Sequence, residues 1–96
     1  MEKFRIAILG AGHIAATMAA TVRQMEGAEI YAVASRSLER AEAFARQFGI
    51  ARAYGSYEEM LSDPKVELVY VATPHSHHAE HARMCILHGK PALVEK

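Results

Sequence analysis

The 96-residue chain carries a single cysteine, Cys85, so no internal disulfide can form, and this usage fits a reducing compartment. Charge of one sign is equally lacking: 11 basic residues balance 11 acidic ones. No overall field therefore favours nucleic acid or an anionic membrane, and any bound anion must be held by a local site. Long hydrophobic runs are missing too. The apolar stretch at residues 6–9 is far too short to cross a bilayer. There is no signal-peptide pattern, repeat, low-complexity tract or flexible linker. These absences lead us to expect a cytoplasmic protein with neither nucleic-acid nor membrane partners.

What is present reads as one small globular unit. Hydrophobic residues make up 51% and charged residues 23% of the chain. A domain near this size buries roughly 60% of its unfolded surface, so a core forms but is thin.

Strand and helix signals alternate from the start. Residues 4–9 form a short apolar run punctuated by Gly10, as a buried strand requires. A helical pattern follows with Ile14, Met18, Ala19, Val22 and Met25 on one face, and Gly27 marks its end. Residues 29–34 are the second strand. Ser37 caps the next helix, whose buried face is Leu38, Ala41, Phe44, Ala45 and Phe48, closed by Gly49. A weak third strand spans 52–54. The S-x-x-E capping box at residues 56–59 opens a short helix, and Asp63-Pro64 turns out of it. Residues 68–72 are a fourth strand. A helix at 77–88 packs Ala79, Ala82, Cys85 and Ile86, is stopped by Gly89, and leads to a last strand at 92–95. This order predicts an α/β fold: a doubly wound, Rossmann-type parallel sheet in a three-layer α-β-α sandwich, incomplete at its carboxyl end. In such sheets the ligand crevice lies beyond the carboxyl ends of the strands.

Gly10-Ala11-Gly12-His13-Ile14-Ala15 has the G-x-G-x-x-A form between a strand and a helix. The first glycine permits the turn, the second lets a pyrophosphate approach the backbone, and the small Ala15 lets helix and strand pack closely. The helix N-terminus presents free N–H groups and partial positive charge to phosphate. The motif in this context points to dinucleotide binding. His13 reads as a solvent-exposed loop residue, with phosphate contact as the alternative.

An NAD site places Asp or Glu at the end of the second strand to hold the ribose 2′-hydroxyl. Here Ser35-Arg36-Ser37 stands instead, with Arg40 one helical turn beyond. A carboxylate repels a 2′-phosphate, whereas a guanidinium binds it through paired hydrogen bonds. The expected cofactor is NADP, with NAD as the alternative.

The apolar fourth strand runs directly into Thr73-Pro74-His75-Ser76-His77-His78, and Pro74 takes the chain out of the ladder. With A-I-L-G-A-G-H-I-A at the amino end, S-R-S after the second strand, T-P-H-S-H-H here and H-G-K-P-A-L-V-E-K at the end, the sequence resembles the Gfo/Idh/MocA oxidoreductases over its whole length. The T-P-x-x-x-H pattern of that family falls on Thr73, Pro74 and His78, with His75 where many members have Asn. The resemblance implies that Thr73, Pro74 and His75 line the nicotinamide end, with His78 as the family's histidine and Ala72 as a further cofactor contact. It also implies that Glu95 and Lys96 begin the family's Glu-Lys-Pro motif. Lys96 is then the expected catalytic residue, its ammonium polarising a carbonyl as hydride arrives. By the same resemblance the substrate is a small sugar, polyol or dihydrodiol-like compound. A second domain, not contained in this chain, would select it and support a homo-oligomer. The chain alone is expected to be inactive.

Rival readings exist for several residues. His77 and His81, four apart, could pair on a metal, but a solvated helix face is the plainer account. Tyr70 reads as a packed strand residue and Cys85 as a small core residue. For the whole chain, the rival to an enzyme is a non-enzymatic NAD(P)-binding sensor module.

Overall fold

The computed structural model describes residues 3–94. Strand β1 (Phe4–Leu9) leads to helix α1 (His13–Arg23), β2 (Ala28–Ala34), α2 (Leu38–Phe48), β3 (Arg52–Tyr54), α3 (Tyr57–Leu61), β4 (Leu68–Val71), α4 (His78–Leu87) and β5 (Ala92–Val94). A single 3₁₀ turn at His75–His77 precedes α4. All strand pairs are parallel, in the order β3-β2-β1-β4-β5. This is a five-stranded Rossmann-type α/β fold. The chain steps outward from β1 on one side and then crosses to the other, so the order reverses between β1 and β4.

Side-chain alternation along the strands divides the core into two layers. Ile6 and Ile8 point toward Ala15, Ala19 and Val22 of α1 and Ala41 and Phe44 of α2. Ala7 and Leu9 point the other way, toward Met60 and Leu61 of α3 and Cys85 of α4. A register shift between Ile6 and Ala7 leaves Tyr31 of β2 without an opposing residue on β1. Tyr31 and Ala32 consequently face the same layer.

Capping follows the sequence reading at α2 and α3. The Ser37 hydroxyl accepts from the Arg40 amide at 3.3 Å, and Ser56 accepts from the Glu59 amide at 3.1 Å. Gly49 and Gly89 are left-handed stops. Gly27 is not one, because α1 ends at Arg23 on a right-handed Gln24.

Three helix faces differ from expectation. In α1 the inward stripe is the small-residue set Ala15, Ala19 and Val22, while Ile14 and Met25 are exposed. In α2 Leu38 is exposed, its Cβ lying over Gly55. In α4 the inward face is His78, His81 and Cys85, and Ile86 is 70% exposed. That helix is rotated because its imidazoles find buried partners at the exit of β4.

Asp63, read from sequence as a turn residue, ties three elements together. Its Oδ2 accepts from the phenols of Tyr31 at 2.9 Å and Tyr54 at 2.7 Å, and its Oδ1 from the Lys65 amide at 2.9 Å. Burial alone would raise this carboxyl, but the hydrogen bonds from Tyr54, Lys65 and Tyr31, with the Arg52 charge nearby, hold it below its ordinary 3.8. Burial, followed by the bond to Asp63, pushes Tyr54 up to about 12. Asp63→Ala is expected to lose about 1–2 kcal/mol of stability in urea unfolding, since two phenols lose a charged acceptor. The Asp63 contribution is present above its ordinary value and is lost as pH falls through the lower folded one. Equal urea midpoints for the two chains would show that the clamp contributes nothing.

Candidate functional site

The reversal of strand order opens a crevice above β1 and β4, where the two chains of crossovers diverge. Gly10 ends β1 with φ +113°, its amide donating to the Ala34 carbonyl at 2.8 Å. A Cβ at Gly10 would lie 3.2 Å from the carbonyl carbon and oxygen of Ala72 and from Cγ2 of Thr73. Here the turn needs glycine for both conformation and space. Gly12, the N-cap of α1, is different: a Cβ there would meet nothing within 4 Å. Its freedom from neighbours leaves an open approach to the backbone. No side chain caps α1 and no acid occupies its first turn, so the helix N-terminus keeps its positive end for a ligand.

A cavity of about 320 Å³ occupies this position. Of the residues that the sequence marks as candidate contacts, Gly10, Gly12, Ser35, Arg36, Arg40, Ala72, Thr73 and Pro74 line it, together with Ala11. Six others do not line it. His13 and Ile14 are exposed on the first turn of α1, Ala15 is buried beneath it, Ser37 is used as the α2 cap, His75 is exposed on the 3₁₀ turn, and His78 is buried behind Thr73. Glu95 and Lys96 fall outside the described residues. Arg36 and Arg40 are exposed, and among the described residues neither is ion-paired. Among the described residues no carboxylate lines the cavity. Ser35, by contrast, is buried; its hydroxyl accepts from the Ser37 amide at 3.3 Å and its own amide donates to the Tyr54 carbonyl at 3.1 Å.

Three further lining residues, Tyr57, His77 and His81, are not among the cofactor contacts expected from sequence. Tyr57 follows the α3 cap and only the crossover brings it here, so no local pattern flags it. The histidine pair reads from sequence as a solvated face, and the structure corrects this. His81 is 3% exposed and His77 is half-buried. The His81 Nδ1 lies 2.7 Å from the Thr73 hydroxyl, and its ring packs edge-to-face with Tyr57 at a centroid distance of 5.0 Å. Buried His78 holds the same residue by its backbone, its Nε2 donating to the Thr73 carbonyl at 2.7 Å. Among the described residues its Nδ1 has no partner. Burial holds His81 below its ordinary value, with His77, Arg36 and His78 acting the same way against the opposing Glu80, so the imidazole is neutral at pH 7. Among the described residues no group of three or more His, Cys, Asp or Glu side chains could hold a metal ion. Nor is any helix among them long and apolar enough to cross a membrane. Tyr70 and Cys85 are packed core residues, and burial pushes the Cys85 thiol up to about 11.

The model of a family described as the Gfo/Idh/MocA oxidoreductases, with an NAD-binding Rossmann fold, matches residues 4–96. The chain is 44% identical over 94 residues to trans-1,2-dihydrobenzene-1,2-diol dehydrogenase of Mus musculus, covering 96% of this chain and 28% of that protein. It thus spans little more than a quarter of the length of that curated relative. A 3-ketoreductase from Actinomadura kijaniata, solved with NADP, superimposes with a TM-score of 0.92 at 30% identity, over 99% of this chain and 30% of that one. An NAD binding oxidoreductase from Klebsiella pneumoniae superimposes with a TM-score of 0.91 at 27% identity, over 99% and 27%.

Proposed function

The chain belongs to the Gfo/Idh/MocA oxidoreductase family, and we propose that it supplies the dinucleotide-binding part of an NADP-dependent oxidoreductase. The observation that carries the reading is the cavity wall itself. Two arginines and an uncapped helix N-terminus face it, and among the described residues no carboxylate does.

The residues fit the cofactor. Open space at Gly12 and the free N–H groups of α1 suit a pyrophosphate. Arg36, where β2 ends, suits a 2′-phosphate, and among the described residues no carboxylate lining the cavity would repel that phosphate. Thr73 and Pro74 close the side toward the nicotinamide. When bound, the nicotinamide supplies the hydride. Lys96 is assigned the polarisation of the substrate oxygen on the strength of the family resemblance. Substrate selection is assigned to a second domain. The dihydrodiol dehydrogenase and the 3-ketoreductase among the similar proteins support a hydroxyl or carbonyl compound of sugar, polyol or dihydrodiol type. NAD use is the second reading, favoured by the similar protein from Klebsiella pneumoniae described as NAD binding.

The test is a parallel titration with NADPH and NADH, followed by nicotinamide fluorescence at two salt concentrations. Tighter NADPH binding that weakens with salt is the expected result. Equal or tighter NADH binding would remove Arg36 as the selector and move the reading to NAD.

A further inference from the structure

We propose that His81 is a positioning residue of the nucleotide cavity: its Nδ1 holds the Thr73 hydroxyl and so fixes Thr73 against the glycine turn. The inference rests on the dinucleotide reading of that cavity.

Burying an imidazole on the inner face of α4 costs desolvation that a leucine there would not, so the polar ring needs a compensating bond. The structure supplies one, at 2.7 Å to Thr73. Thr73 is itself 5% exposed and stands where the chain leaves β4. Its Cγ2 is one of the three atoms that close off Gly10. The orientation of the Thr73 side chain therefore sets where the first turn of the phosphate loop can rest. His78 holds the backbone carbonyl of the same residue, so α4 grips Thr73 at two points. The Tyr57 ring of α3 packs edge-to-face with the His81 ring, centroids 5.0 Å apart, and limits its movement. Without the His81 bond, Thr73 could turn on its χ1 and release the wall that Gly10 abuts. His81 acts on the nucleotide through Thr73.

The experiment compares NADPH affinity, by fluorescence, and thermal midpoint for the whole chain and for H81L, H81N, T73V and the H81L/T73V pair. H81L and T73V are each expected to weaken NADPH roughly 5-fold, and the pair no more than either alone, because both remove one shared hydrogen bond. H81N offers a polar atom near the Nδ1 position and is expected to restore affinity to within about twofold. Three outcomes overturn the inference while leaving the dinucleotide reading intact. One is H81L binding NADPH as tightly as the unsubstituted chain, whatever its melting point. Another is H81L weakening binding while T73V does not. The third is additive losses in the pair. A folded, unsubstituted chain that binds neither NADPH nor NADH overturns the dinucleotide reading and this inference with it.

Discussion

Gly10→Ala is expected to cost the fold about 3 kcal/mol and to lower the thermal midpoint by roughly 10–20 °C. Two effects combine. The backbone at φ +113° is one that side-chain-bearing residues rarely adopt. The added methyl would also press on the Ala72 carbonyl at 3.2 Å, and that carbonyl belongs to a central strand exit that cannot retreat. Gly12→Ala is the informative companion. Its φ of −97° suits alanine and its surroundings are empty, so stability should stay within about 0.5 kcal/mol. The methyl would nevertheless stand where a pyrophosphate approaches, and NADPH affinity should fall roughly tenfold or more. Melting curves and nucleotide titrations on the two variants separate the folding glycine from the binding glycine. If Gly10→Ala melted with the unsubstituted chain, neither strain nor crowding would be what holds glycine at that turn.

The second large effect is at Arg36. Replacement by Ala should weaken NADPH by about 1.5–3 kcal/mol, the range for a lost hydrogen bond to a charged group, while leaving NADH affinity nearly unchanged. Arg36→Lys should fall between, because it keeps the charge and loses the fork that grips two phosphate oxygens. Arg40, one turn further along α2, also lines the cavity. It is the natural second cation if Arg36→Ala retains part of the preference. Unchanged NADPH affinity in Arg36→Ala would sink the assignment of that residue.

Much of the fold is legible because its signals are local. The run ending at Gly10, the caps at Ser37 and Ser56, and the stops at Gly49 and Gly89 each read from a few neighbouring residues, and the strands fall within a residue or so of expectation. Hydropathy misleads in α4, where Ala79 and Ile86 read as core and the histidines as solvated. Imidazoles count as polar until a buried partner is known, and Thr73 becomes a partner only through folding. Asp63 is opaque for the same reason. Its tyrosines lie 32 and 9 residues away in sequence, so nothing in the Asp-Pro turn announces a clamp. In the site, the glycine turn and Arg36 follow strand ends and can be anticipated. Tyr57 and His81 reach the cavity from α3 and α4, and no spacing rule links them to it.

The strand order also governs how the molecule comes into being. β1 leaves the ribosome before its neighbour β4, which pairs Ile6 with Leu68, 62 residues later. Until that segment is synthesised, β1 presents an unpaired apolar edge with only β2 beside it. Both walls of the cavity, the turn after β1 and the exit from β4, wait on this late pairing. Ligand-binding competence therefore arrives with the closing of the longest loop, the slow step in sheets built from distant partners. Nucleotide added to a nascent chain should find its seat only after β4 has emerged.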